Sequence, residues 1–225
     1  MQELQRDMIT KSIQQKEIER IENKLFYNFL KRIFDLISSL CALIVFFPLF
    51  LIFSIVIKID SKGPIFFAHT RLGLKGKKIK VYKFRTMKSN AEDLLKSLTV
   101  DQKKEFEENF KLEFDPRITN IGNFLRTTSL DELPQLLNIF IGNMSVVGPR
   151  PIVEKEIEKY GVHGVKLLMI KPGLTGLWQA NGRSDTTYEE RVQMDMKYID
   201  NRSFLLDIKI IFQTIISVLN KKGAR

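Results

Sequence analysis

The chain has 225 residues, 44% of them hydrophobic and 28% charged, enough for one sizeable buried core and too few for two independent domains. Lys and Arg number 36 against 26 Asp and Glu, a net charge of +10, so partners carrying phosphate or anionic lipid are the first expectation, beside a merely solvated basic surface. The one cysteine, Cys41, excludes an internal disulfide framework and, with only His69 and His163 to help, a zinc site; 17 Phe exclude a disordered chain.

Residues 1–30 alternate charge with isolated apolar residues at helical spacing and read as a polar lead-in helix. From Leu36 to Ile57 no residue is charged, and a run of roughly twenty such residues is long enough to span a bilayer. The run lies too far from the N-terminus for a removable signal peptide and lacks the polar face of a soluble core helix. Pro48, inside it, deletes one backbone hydrogen bond and bends the helix. Lys24, Lys31 and Arg32 precede the run, and ten basic residues against one acid occupy Lys58 to Lys88. Positive flanks favour the cytoplasm, so a straight span strands one of them, whereas a re-entrant helix over 31–58, turning near Pro48, keeps both on one side. Both topologies fit the length.

Beyond the run, residues 59–225 form the expected cytoplasmic domain. Ile65 to Phe67 and Ile79 to Phe84 are β-favouring and joined through Leu72-Gly73-Leu74-Lys75-Gly76, which predicts a hairpin. Ala91 to Phe110 reads as a solvated helix. Gly and Pro then punctuate the chain at Asp115-Pro116, Gly122, Gly142, Gly148-Pro149-Arg150-Pro151 and Lys171-Pro172-Gly173, so the middle is built of short elements and loops. Phe204 to Leu219 is an amphipathic helix suited either to ordinary packing or to a membrane interface. The fold class expected is α+β, mainly helical with a small β-hairpin.

The strongest chemical signal is Ser129-Leu130-Asp131-Glu132-Leu133-Pro134-Gln135. Ser129 with Glu132 fits a capping box, but a helix begun there would carry Pro134 one turn inside; a helix begun at Pro134 leaves Asp131 and Glu132 just outside its N-terminus. A carboxylate in that place can be a nucleophile toward phosphorus or a ligand for magnesium. Phosphate chemistry needs cations, and Lys83, Arg85, Arg126 and Arg150 are the candidates, the last fixed between two prolines. Neither a Gly-Lys-Ser/Thr phosphate loop nor GxGxxG occurs. His69 and His163 read as structural or surface residues, and Trp178-Gln179 with Asn181-Gly182-Arg183 as a loop able to stack on a base or sugar ring, or equally as core.

Taken together, Lys31-Arg32-Ile33-Phe34-Asp35, Gly63-Pro64-Ile65-Phe66-Phe67, Arg71-Leu72-Gly73, Tyr82 to Met87, Asp115-Pro116-Arg117-Ile118-Thr119, Arg126 with Ser129 to Gln135, Met144 to Pro151 and Lys171 to Gly176 resemble, in order, the bacterial sugar transferase family of monotopic phosphoglycosyl transferases. The resemblance implies transfer of a sugar 1-phosphate from a UDP-sugar to polyprenyl (undecaprenyl) phosphate with release of UMP, at the cytoplasmic face of the bacterial inner membrane, as the first membrane step of a surface glycan. It implies that Asp131 is the nucleophile forming a covalent phosphosugar enzyme, that Asp131 and Glu132 hold Mg²⁺, that Lys83, Arg126 and Arg150 surround the phosphates, and that the membrane helix is re-entrant and bent at Pro48. Leu177 to Arg183 resembles members acting on glucose or galactose. Two departures stand out: Phe47 replaces the serine that many relatives carry before the bending proline, and the multi-span N-terminal region of larger relatives has no counterpart, so a minimal catalytic form is expected. Inner-membrane lipid is an expected partner, nucleic acid is not, and homodimerisation is left open. Two other classes compete: a basic membrane-anchored binding protein indifferent to Asp131, and a glycosyltransferase that releases UDP.

Overall fold

The computed structural model describes Glu19, Ile21, Leu98, Gln102, Leu112 and residues 24–96, 115–182 and 186–220. The lead-in helix expected over 1–30 and the solvated helix expected over 91–110 lie largely outside the described residues, as does Arg183; of the solvated helix, α2 (Ala91–Lys96) is described.

The uncharged run forms the middle of α1 (Leu25–Asp60), 36 residues that continue through Pro48. Only 11% of its most apolar window is buried, so it is not the core helix of a soluble domain. Asp35, Ser39, Leu43, Phe50, Phe53 and Ile57 recur at helical spacing and face the rest of the protein, while Ile44, Val45, Phe47, Ile55 and Ile59 point outward. Ser38 and Ser54 turn their hydroxyls back to the carbonyls of Phe34 and Phe50, satisfying them within the helix.

Both ends of α1 are bonded to one body. At the N-terminal end Tyr27 and Lys31 donate to Asp207, Arg32 donates to the carbonyls of Ile139 and Phe140, and Asp35 accepts from Ser145 and the Val146 N–H. At the C-terminal end Asp60 accepts from the Ile121 N–H, and Arg85 donates to the carbonyls of Ile57, Ser61 and Lys62. Arginine suits these positions because helix C-termini leave carbonyls unpaired and carry partial negative charge.

The hairpin expected from the β-favouring clusters is present: β1 (Phe66–Leu72) pairs antiparallel with β2 (Lys78–Phe84) in the register Phe66 with Phe84 and Leu72 with Lys78, the two joined across a 3₁₀ turn at Leu74–Gly76. Ile79 and Val81 of β2 pack with Leu136, Ile139 and Met144, and Phe84 packs with Ile57 and Leu125. These contacts bring α3 (Asn120–Thr127), which starts where Thr119 caps the Gly122 N–H, and α4 (Gln135–Ile141) under the hairpin and α1. At the end of α4 Gly142 is left-handed at φ 94°, which favours glycine there, and a Cβ would press on the Arg32 guanidinium at 3.2 Å.

A pairing not foreseen from the sequence follows: β3 (Ser145–Val147) runs parallel to β4 (Gly173–Thr175). Gly148 and Gly173 cross so closely that a Cβ on Gly173 would sit 2.1 Å from the Gly148 nitrogen. The largest core cluster lies beside this pair, built from Val147, Tyr160, Leu167, Tyr198, Ile199 and Ile210. Its side chains come from a 3₁₀ segment (Glu154–His163), α5 (Gly164–Leu168), α7 (Tyr188–Asn201) and α8 (Phe204–Leu219), with α6 (Leu177–Asn181) joining them. α8 is inverted relative to a soluble packing helix. Asp207, Ile210 and Ser217 are buried, and Leu205, Phe212, Ile216 and Leu219 face out.

Candidate active site

Asp131 and Glu132 occupy a 3₁₀ turn (Leu130–Glu132) entered through Ser129, whose φ of 59° is left-handed, and Pro134 begins the next helix at φ −61°. The proline thus starts α4 and leaves the acidic pair outside it. Leu130 and Leu133 on either side pack into the cores around Phe84 and Val81, so the turn is pinned at both ends. This is why an acidic dipeptide here is held rather than solvated, with Asp131 only 8% exposed.

β2 supplies the principal cation. The Lys83 ammonium lies 2.7 Å from Glu132 Oε1 and 3.5 Å from Asp131 Oδ2. From the loop after β3, Arg150 approaches Glu132 Oε1 at 3.9 Å, and its side chain is 42% exposed, so the cluster opens toward solvent on that side. Arg126 of α3, bonded through Nε to Thr86 Oγ1 at 2.9 Å, contributes a further positive charge acting on Asp131. Burial pushes the Asp131 carboxyl above the usual range; Lys83 pulls it down most strongly, Glu132 adds to the rise, and Arg126 opposes it. Arg85 stands apart from this group. It is buried, with its guanidinium bonded to the end of α1 rather than directed to the acidic pair.

Two residues without an assigned role in the sequence lie in the same field. Arg71 of β1 reaches Glu156 Oε2 at 3.3 Å and feels the charges of both Arg150 and Glu132. His69, two residues earlier on the same strand face, is held below its usual pKa by partial burial and by Arg71 and Lys83, which keeps its imidazole neutral near pH 7. The signal for both was the period-two alternation of β1, which carries residues 67, 69 and 71 to one face. Trp178 is 7% exposed and belongs to the core side of the two readings open for it, with Arg150 and Arg191 against its ring at 6.0 and 4.7 Å from the centroid. Asp195, Asp200 and Asp207 engage Tyr160, Lys166 and Lys31 respectively.

A buried carboxylate beside a second one, with lysine across both and arginines at an open rim, can attack or hold a phosphorus centre whose charge the cations offset. The donor set also fits Mg²⁺, a hard cation that typically takes one or two carboxylates and completes its octahedron with water and substrate phosphate. Lys83 already places a positive charge where both carboxylates converge.

The bacterial sugar transferase family model matches residues 26–221. The undecaprenyl-phosphate galactose phosphotransferase of Salmonella typhimurium is 46% identical over 211 residues, which are 91% of this chain and 44% of that protein. The exopolysaccharide production protein ExoY of Rhizobium meliloti is 45% identical over 197 residues, 86% of this chain and 87% of that one. The UDP-glucose:undecaprenyl-phosphate glucose-1-phosphate transferase of Escherichia coli is 39% identical over 203 residues, 87% of this chain and 41% of that protein. The chain thus spans less than half of two of these relatives and most of ExoY. With the matched region running from the start of α1 to the end of α8 and enclosing every member of the acidic cluster, the chain belongs to the bacterial sugar transferase family.

Proposed function

We propose that this chain transfers a sugar 1-phosphate from UDP-glucose or UDP-galactose to undecaprenyl phosphate and releases UMP, the first membrane step in building an exopolysaccharide, capsule, O-antigen or related glycan. The carrying observation is Asp131, a buried carboxylate pinned on a turn with Glu132 beside it and the Lys83 ammonium 3.5 Å away. The names of the relatives, phosphotransferases acting on undecaprenyl phosphate, support the same reading.

In the first displacement an Asp131 oxygen attacks the phosphorus next to the sugar, an Asp131 O–P bond forms, and the bond to the UMP oxygen breaks, so UMP leaves with the electron pair. In the second, a phosphate oxygen of undecaprenyl phosphate attacks the same phosphorus and returns Asp131 to its carboxylate. The covalent intermediate lets one site serve a soluble and a lipid substrate in turn. Lys83, Arg126 and Arg150 offset the charge on the diphosphate and orient it for in-line attack. Mg²⁺ held by Asp131 and Glu132 would supply further charge neutralisation when bound. Asp131 must be ionised to attack, so its raised pKa predicts loss of rate as pH falls through a value above that of an ordinary carboxylate.

Re-entry of α1 into the cytoplasmic leaflet, with its turn at Pro48, is part of the proposal. It is supported by the bonding of both helix ends to one body. The outward apolar faces of α8 and of α4, with Ile141 61% exposed, suit helices lying in the interface.

The test is nucleotide release by purified protein with Mg²⁺, undecaprenyl phosphate and a panel of UDP-sugars, wild type beside Asp131→Asn. UMP formed with one sugar and abolished in the variant is the expected result. UDP as the product, or turnover surviving in Asp131→Asn, would overturn it.

A further inference from the structure

Asn138 sits in the middle of α4 with no exposed surface. Its side chain reaches the neighbouring strand: Oδ1 accepts from the Tyr82 N–H at 3.0 Å, and Nδ2 donates to the Lys80 carbonyl at 2.6 Å. Residues two apart on a strand direct their backbone groups to the same side, so Lys80 and Tyr82 present one acceptor and one donor along the edge of β2 away from β1. A primary amide carries both complements, and Asn138 therefore stands where one residue of a third strand would stand. Lys83 directly follows Tyr82, and the turn holding Asp131 and Glu132 feeds straight into α4.

We infer that Asn138 is a positioning residue, whose two bonds fix β2 against α4 and so set the distance between the Lys83 ammonium and the Asp131–Glu132 pair. The apolar contacts of Ile79 and Val81 with Leu136 and Ile139 also hold strand to helix. Such contacts are non-directional and tolerate sliding, whereas a donor–acceptor pair matched to two backbone groups admits one register. The kinetic part of the test rests on the proposed UMP release; the hydrogen-exchange part does not.

The experiment compares wild type with Asn138→Leu, which keeps roughly the volume and removes both bonds, and with Asn138→Ala, which removes the bonds and the volume together. Lys83→Met and the Lys83→Met/Asn138→Leu pair complete the set. The first readout is hydrogen exchange at the Tyr82 amide, whose N–H donates to Asn138; it is expected to quicken by about tenfold or more in both Asn138 variants. The second readout is UMP release, with kcat expected to fall about tenfold while KM for the UDP-sugar stays within about threefold, and with Lys83→Met losing little more when Asn138→Leu is added. A Tyr82 amide still protected or a kcat unchanged in folded Asn138→Leu, or multiplying losses in the double variant, would overturn the inference and leave Asn138 a packing residue. Wild type whose Tyr82 amide is protected yet releases no UMP would count against the proposed function and not against this placement.

Discussion

Asp207 and Asp131 are both buried carboxylates beside a lysine, and they are built for opposite ends. Asp207 receives Lys31 at 2.7 Å and Tyr27 at 2.8 Å from α1, and Tyr198 at 2.8 Å from α7. Three donors from two other elements engage both of its oxygens, and its bonds tie the membrane helix to the domain. Asp131 meets its lysine at 3.5 Å, while that lysine leans 0.8 Å closer to Glu132 and the neighbouring arginine stays solvent-exposed at the rim. Asp207, with donors on both oxygens, holds the fold together. Asp131, less fully bonded among cations, is the carboxylate that the proposed function gives to the substrate.

The widest test of this contrast exchanges the two losses. Asp131→Asn is expected to lower UMP release by about a thousandfold or more with little change in Tm, since the proposed nucleophile is removed and its shape retained. Asp207→Ala is expected to cost about 3–5 kcal/mol, because the Lys31 ammonium, 12% exposed, is left buried without its partner. Thermal unfolding and nucleotide release measured on both variants decide it. A destabilised Asp131→Asn, or a fully stable Asp207→Ala, would erase the distinction.

Lys83→Met sharpens the same contrast from the cationic side. It is expected to lower kcat/KM by about a hundredfold and to move the acidic limb of the pH profile upward, since the strongest charge lowering Asp131 is gone and more protons must be removed before attack. Arg85→Met should do something different in kind. Its guanidinium meets carbonyls of Ile57, Ser61 and Lys62, so the expected outcome is a loss of about 1–3 kcal/mol in stability, with kcat/KM of the folded fraction changing far less than in Lys83→Met. A fall in kcat/KM matching that of Lys83→Met, at unchanged Tm, would put Arg85 among the phosphate-binding cations instead.

That two basic residues two apart, Lys83 on β2 and Arg85 just beyond its end, part ways in this manner marks where the sequence stops being readable. The uncharged run, the hairpin and the start of a helix at Pro134 were legible because each is local: a period, a turn composition, a missing N–H. The acidic pair was legible for the same reason. Which cation serves it was not, because Lys83 and Arg85 are both basic and two residues apart, and differ only in where the chain delivers them, one from β2 over the acidic turn and one past the strand's end against the end of α1. Asn138 was silent in the sequence on the same account, since an asparagine inside an apolar helix announces nothing until the edge of β2 is placed beside it. The β3–β4 pair was hidden by its length of three residues per strand and by the parallel pairing of segments more than twenty residues apart. The inverted face of α8 could be read as amphipathic, but the wheel alone does not say which face meets protein.

Asp195 supplies the finest test, because it is a further buried carboxylate whose bonded partner is a tyrosine and not a lysine. It has no exposed surface; the Tyr160 hydroxyl donates to Oδ2 at 2.9 Å, and Oδ1 meets no hydrogen-bond partner among the described residues. Burial raises its carboxyl to about 7, and the bond from Tyr160 only partly opposes that rise. In the unfolded chain an aspartate titrates near 3.9. Between about pH 4 and pH 7 the folded protein therefore holds a proton that the unfolded chain has released, so stability falls as pH rises through that window and levels off above it. An asparagine reproduces the neutral acid, accepting from Tyr160 without a charge to bury. Asp195→Asn is expected to leave Tm almost unchanged near pH 4, to raise it a little near pH 5 and by several degrees near pH 8, with UMP release per folded molecule preserved. An equal shift at every pH would mean that this carboxyl is not neutralised by burial. A loss of turnover instead would tie the Tyr160–Asp195 pair to the chemistry, and the division between carboxylates that hold the fold and the one held ready would have to be redrawn.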